Sequence, residues 1–213
     1  MTSLWLIRHG ETDWNTSGRF QGHTDVALNE VGRRQAHRLA KRLEGDHRQH
    51  RFAGVFSSDL SRASETAKAA AQRLRLEVEL REGLRERNYG VLSALTPAQM
   101  EAQHPEIYAR WHTRDPEYVV PGGESLRQFS ERVLQELREI ARRHPGDQVL
   151  IVAHGGVLDC AWRAATQMPL DAKRGHPLRN ASINRVRVDE AGTLSVEAWG
   201  DVEHLENGAI DEL

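Results

Sequence analysis

The chain has 213 residues, with 29 basic against 31 acidic side chains, 11 histidines and one cysteine. That length buries a sizeable core without disulfide or zinc staples, and a net charge of −2 gives the molecule as a whole no electrostatic reason to bind nucleic acid. Cys160 can form neither an internal disulfide nor a cysteine-based metal site; among Val157, Leu158, Ala161 and Trp162 it reads as a core thiol suited to a reducing cytosol.

The N-terminal run Leu4-Trp5-Leu6-Ile7 is too short for a secretory signal, and no stretch approaches the roughly 18 apolar residues of a membrane helix. A cytoplasmic protein without a membrane partner is the expectation. Leu4 to Arg8 predicts a short buried strand, and Phe52 to Ser57 a second. Asn29 is placed to cap a helix carrying Val31, Ala36, Leu39, Ala40 and Leu43 on one face. Asp59 is placed to cap another carrying Ala63, Thr66, Ala67, Ala70 and Leu74. The segment from Tyr89 to Pro121 leaves room for two short helices, one of them opening at Thr96-Pro97. Ser125 with Gln128 fits a capping box, after which Leu126, Phe129, Val133, Leu137 and Ile140 recur at helical spacing as far as about His144. The charges between Arg132 and Arg143 read as that helix's solvated face. Gln148 to Ala153 predicts a third buried strand and Gly155 to Ala165 a helix. Ile183, Val186 and Val188, then Leu194, Val196 and Ala198, flank Glu190-Ala191-Gly192 as a terminal hairpin, an edge at which two copies could pair as a homodimer.

This alternation predicts one α/β domain over 1–213, a mostly parallel sheet with helices on both faces, and a helical elaboration over roughly 86–124. Ligands of such sheets lie beyond the carboxyl ends of the strands. Strand one runs into Arg8-His9-Gly10-Glu11-Thr12, the Gln148 strand into His154-Gly155-Gly156, and the Phe52 strand into Ser57-Ser58-Asp59, one turn before Arg62. Two histidines, each at a strand end and each followed by glycine, can face one crevice.

These segments, with Asn15 and Leu60-Ser61-Arg62-Ala63, resemble the histidine phosphatase superfamily, which contains cofactor-dependent phosphoglycerate mutases and phosphatases on the same core. The resemblance covers nearly the whole chain and implies a three-layer α/β/α, phosphoglycerate mutase-like fold. The residue types suit a dianionic phosphoryl group. Arg8 and Arg62 offer planar forks of donors that stay charged, and a neutral imidazole at His9 is a nucleophile near pH 7. The resemblance implies a phosphohistidine at His9, with Gly10 allowing a close backbone approach and its carbonyl holding the other ring nitrogen. It also implies that His154 donates to the equatorial oxygens, more effectively when protonated. Thr12, Asn15, Gln21 and Gly22 match positions lining the phosphate or the substrate mouth, and Gly155 one that turns the chain beside it.

A leaving oxygen needs a proton. Leu84-Arg85-Glu86-Arg87-Asn88-Tyr89-Gly90 resembles the family segment supplying a glutamate for this step, so Glu86 is the candidate acid, then base toward water. Partial burial or the neighbouring dianion must keep its carboxyl protonated at the first step. Glu11 and Asp13 are the rival carboxyls.

Mutases that resemble this family carry a central insertion with an arginine pair and a nearby lysine. Here the insertion is missing, Pro97 stands at about the lysine position, and Arg110 and Arg114 are separate. Gln21 and Gly156 resemble the phosphatase branch, where mutases tend to have serine and asparagine; Tyr89 is mutase-like. The reading is a histidine acid phosphatase-type phosphohydrolase acting on small phosphate monoesters, with no metal or other cofactor. A mutase needing a 2,3-bisphosphoglycerate primer is the alternative. A non-catalytic phospho-ligand binder is the third, opposed by the presence of all five catalytic candidates. His47 and His50 lack a third ligand for a metal site. Trp14 and Trp111 suit either core or substrate mouth.

Overall fold

Side chains alternate across β1 (Thr2–Arg8) so that Leu4 and Leu6 join one apolar cluster while Trp5 and Ile7 join another. A strand buried on both faces needs a layer on each. The structure, a computed structural model, describes residues 1–205 and supplies both. On the Leu4 face lie α6 (Leu126–Arg143) and α7 (Gly155–Thr166), through Phe129, Val133, Leu137 and Val157. On the Trp5 face lie α2 (Glu30–His50) and α3 (Ser61–Leu74), through Leu39, Leu43, Ala63 and Ala67. Each fully buried leucine or phenylalanine contributes about 1.5–3 kcal/mol.

Among the described residues six strands form one sheet in the order β3 (Val78–Leu80), β2 (Phe52–Ser57), β4 (Gln148–Ala153), β1, β5 (Ile183–Val188) and β6 (Leu194–Asp201). The first four are parallel, β5 pairs antiparallel with β1, and β6 pairs antiparallel with β5. The expected strands and terminal hairpin are all present. Short β3 escapes a hydrophobic pattern because it is an edge strand with Leu80 half exposed. A short α1 (Asp13–Thr16) follows β1, and the central segment folds as α4 (Pro97–Gln103) and α5 (Pro105–His112) around an aromatic cluster of their own.

Capping boxes form at Thr96 with Gln99 and at Ser125 with Gln128, and Asn29 caps α2 through Gly32 N–H at 2.8 Å. Two expectations need correction. Val31 is exposed, because the buried stripe of α2 runs through Gly32, Gln35, Ala36, Leu39, Ala40 and Leu43. Asp59 does not cap α3, whose N-cap is Leu60; its carboxylate is held instead by the Arg85 guanidinium.

β1, β4 and β2 end level, since Ile7 pairs with Val152 and Val152 with Ser57. The chain leaving β1 then packs directly on the first turn of α2. An added Cβ at Gly10 would lie 2.6 Å from Gly32 O, and one at Gly32 only 2.1 Å from Glu11 O. Two backbones cannot meet this closely past a side chain. Gly32→Ala is therefore expected to lower stability by about 3 kcal/mol, read from urea unfolding midpoints. A loss below about 0.5 kcal/mol would show that the helix separates from the loop at little cost.

Candidate active site

Level strand ends bring Arg8-His9, His154 and the approach to Arg62 to one crevice. His9 N–H donates to Ala153 O at 2.9 Å, which continues the β1–β4 ladder by one residue. On its other side the carbonyl of His9 accepts from Asn180 Nδ2 at 2.9 Å and from Ala181 N–H at 3.3 Å. The ring Nδ1 lies 2.6 Å from Gly10 O. A carbonyl can only accept, so Nδ1 carries the proton and Nε2 keeps its lone pair. This is the expected use of the Gly10 carbonyl. The absent Cβ of Gly10, by contrast, makes room for Gly32 of α2.

The Arg8 guanidinium donates to Leu178 O, and Arg62 donates to Thr24 O at 2.9 Å and Gly22 O at 2.8 Å. Both arginines are buried, at 2% and 0% exposure. His154 is wholly buried too, its ring 5.2 Å from that of His9. Among the described residues neither of its ring nitrogens has a hydrogen-bond partner. Burial, then the positive charges of Arg62 and Arg8, hold the His9 pKa well below the ordinary histidine value; burial and Arg62 do the same to His154. Both rings are thus neutral around pH 7. For His9 this is the nucleophilic form, while His154 is not the imidazolium that would donate best.

The cleft above these groups has a volume of about 550 Å³. Of the expected binding residues, Asn15, Gln21, Tyr89 and Gly155 line it, together with Trp14, Arg19 and Phe20. Thr12 and Gly22 stand behind the wall. Thr12 caps α1, and its backbone N–H donates to Asn15 Oδ1 at 3.0 Å, which aims the amide. Gly22, at φ 51°, turns its carbonyl onto Arg62. Gly155 is the first residue of α7 rather than a loop turn.

Glu86 reaches the same cleft, and its Oε2 accepts from Gly156 N–H at 3.0 Å while Oε1 accepts from Arg87 N–H at 2.7 Å. A Cβ at residue 156 would sit 2.2 Å from Glu86 Oε1. Glycine at this position is therefore what admits the carboxylate. The rivals do not line the cleft: Glu11 Oε1 accepts from Asn29 Nδ2 at 2.9 Å at the start of α2, and Asp13 is the first residue of α1.

Residues 4–202 match the family model of the histidine phosphatase superfamily, branch 1. The chain belongs to this superfamily. It is 38% identical to the metal-independent phosphoserine phosphatase of Arabidopsis thaliana over 207 residues, spanning 96% of this chain and 84% of that protein. It is 36% identical to phosphoglycerate mutase-like protein 4 of the same plant over 203 residues, 94% and 86% of the two chains. Among solved structures it resembles Bacillus stearothermophilus YhfR, with a TM-score of 0.86, 35% identity and coverage of 96% and 99%.

Other residues of this superfamily member escape sequence reasoning. Asn180 lies in a polar connection before β5, with no motif to mark it; only the antiparallel β1–β5 pairing brings it beside His9. Arg132, expected on a solvated helix face, donates to Gly83 O at 2.9 Å and Arg85 O at 3.1 Å and pairs with Glu124 at 2.7 Å. It thereby gathers the loop that presents Glu86. His47 Nδ1 accepts from Phe52 N–H at 3.0 Å, and no group of three or more metal-binding side chains converges among the described residues.

The depressed pKa values make stability depend on pH. Unfolded histidines bind a proton near pH 6.5 and the buried ones do not, so the unfolded state takes up more protons as pH falls below 6.5. Stability is complete above that value and declines below it, by up to about 1.4 kcal/mol per pH unit for each histidine. His23 and His204, also lowered by burial, add to the same slope. Urea unfolding at pH 7.5, 6.5 and 5.5 is expected to show the decline, less steep in His154→Asn; identical slopes for the two proteins would contradict a neutral buried His154.

Proposed function

We propose that the protein is a histidine acid phosphatase-type phosphohydrolase that cleaves small phosphate monoesters through a phosphohistidine on His9, in the cytoplasm and without a metal or other cofactor. The observation that carries the reading is one cleft holding the lone pair of His9 and the Glu86 carboxylate beside two buried guanidiniums. Phosphate esters are the anions that need that field. A reducing compartment suits Cys160, whose thiol is buried and pushed far up by desolvation, and among the described residues no helix is long and apolar enough to cross a membrane.

In this reading Arg8 and Arg62 orient the phosphoryl group and His154 and Asn15 flank it. His9 Nε2 attacks phosphorus as the bond to the ester oxygen breaks, and Glu86 delivers its proton to that oxygen. The alcohol leaves. Glu86, now a carboxylate, takes a proton from water as the water oxygen attacks phosphorus; the N–P bond breaks, releasing phosphate and restoring His9 and the protonated acid.

The surroundings of the cleft favour water over a second sugar acid as acceptor. No arginine of the 86–124 segment lines it: Arg87 turns to the Glu124 carbonyl, Arg110 lies over the Tyr118 ring at 4.4 Å, and Arg114 donates to Leu170 O. Tyr89, which does line it, is the feature that favours a mutase. A coupled assay with 3-phosphoglycerate separates the two. Phosphate release supports hydrolysis, whereas isomerisation stimulated by 2,3-bisphosphoglycerate would overturn it.

His9→Ala is expected to lower hydrolysis of p-nitrophenyl phosphate by at least about 10⁴-fold and to abolish acid-labile labelling of the protein. Glu86→Gln is expected to slow turnover of alkyl phosphates by about 10²–10⁴-fold with little change in inhibition by inorganic phosphate. Full activity in either variant removes that residue from the mechanism.

A further inference from the structure

Phosphate recognition leaves open what the leaving group is, and a second cleft bears on that question. It has a volume of about 1000 Å³ and shares Phe20 with the catalytic cleft. The Phe20 ring stands edge-on between Tyr89, at 5.0 Å on the catalytic side, and Trp111, at 5.3 Å on the other. Trp111 and Tyr108 of α5 stack at 5.9 Å, are only partly buried, and offer flat apolar surface to the cleft.

The same walls carry Arg87, Arg114 and Lys173. Elsewhere Arg81, Arg85, Arg132 and Arg163 each meet a carboxylate. Among the described residues no carboxylate lies within 4.0 Å of the three cleft cations. Among the described residues Arg87 donates to the Glu124 carbonyl, at 3.2 and 3.1 Å, and lies over the Tyr89 ring at 5.9 Å. Arg114 donates to Leu170 O at 3.2 Å, and its buried Nε has no partner among the described residues. Asp115 is the one acid on the wall, with its Oδ1 accepting from Glu117 N–H at 3.0 Å. Guanidiniums drawn out of water without a carboxylate in contact are costly; Glu124 and Glu86 act on Arg87, and Asp159 on Arg114, only from beyond 4.0 Å, and burial lowers both pKa values. A ligand that is both planar and anionic would satisfy the rings and the cations together.

We infer that this cleft receives the leaving group of the substrate, and that the leaving group is aromatic and carries a second negative charge. The inference rests on the phosphatase reading and narrows it to a substrate class: phosphate monoesters of aromatic acids or of comparable aromatic anions. Phosphate stays among Arg8, Arg62 and His154, the linkage passes Phe20, and the ring lies against Trp111 within reach of Arg114 and Lys173.

The test compares phosphate release from 2-naphthyl phosphate and 6-carboxy-2-naphthyl phosphate, with phenyl phosphate as the short reference. At low salt the carboxylated ester is expected to be preferred in kcat/KM by about tenfold. Lys173 is exposed, so Lys173→Glu tests the charge without threatening the fold; it and Arg114→Gln should bring the ratio of the two naphthyl esters close to one. Trp111→Ala should lower both naphthyl esters relative to phenyl phosphate. A ratio near one in the unaltered protein, or one that Lys173→Glu and Arg114→Gln leave unchanged, overturns the inference. Binding of 6-hydroxy-2-naphthoate, followed by tryptophan fluorescence, gives a readout independent of turnover: weaker binding in Lys173→Glu supports the cleft, and equal binding overturns it. If phenyl phosphate itself is not hydrolysed, it is the phosphatase reading that fails, and the binding measurement still decides the cleft.

Discussion

Two guanidinium groups held out of water beside each other are the constraint on which the rest of the structure depends. Arg8 and Arg62 repel one another, and each forfeits hydration on burial. The fold offsets this with carbonyl dipoles, Leu178 for Arg8 and Gly22 and Thr24 for Arg62. A carbonyl dipole holds a guanidinium in place without adding a formal negative charge of its own. The same field, with burial, keeps the rings of His9 and His154 neutral, so the nucleophile and the cations are products of one electrostatic arrangement.

Supplying those carbonyls explains loops that otherwise look idle. Pro177 O accepts from Trp199 Nε1 at 2.9 Å, and His176 stacks on Trp162 at 4.6 Å with its Nε2 3.1 Å from Asp159 Oδ1. The connection from α7 to β5 is thus pinned from both sides just before Leu178 and Asn180, which hold Arg8 and His9. A comparable anchor serves the acid. Arg132 and Glu124 tie down the backbone of residues 83–88, and Gly156 opens the space that the Glu86 carboxylate enters. The buried arginines and the Glu86 carboxylate are positioned by separate loops on one sheet.

Where the segment over the active site sends its arginines separates the two chemistries available to this core. Arg87 and Arg114 face the aromatic cleft beyond Phe20 and not the catalytic one. A guanidinium pair above His9 would hold a second anionic acceptor in place, and no arginine of residues 86–124 lines the catalytic cleft.

Much of this was legible in the amino-acid order because it is local. Strand β1 runs into His9 and β4 into His154 by hydrophobic pattern alone, and the capping boxes at Thr96 and Ser125 are read from residues three apart. The expected β2 and β4 have the observed ends. What failed was decided by partners far away in the chain. Asp59 is an acceptable cap until Arg85 takes it, Arg132 is a surface arginine until the Glu86 loop folds over it, and Asn180 is unremarked until β5 pairs with β1. The sequence by itself picked out the residues whose types suit phosphate chemistry, because those types and their places at strand ends are properties of short segments. Only the tertiary structure decided how they are aimed and what lies beside them, because carbonyl contacts to buried cations and the split between two clefts join residues that no spacing along the chain relates.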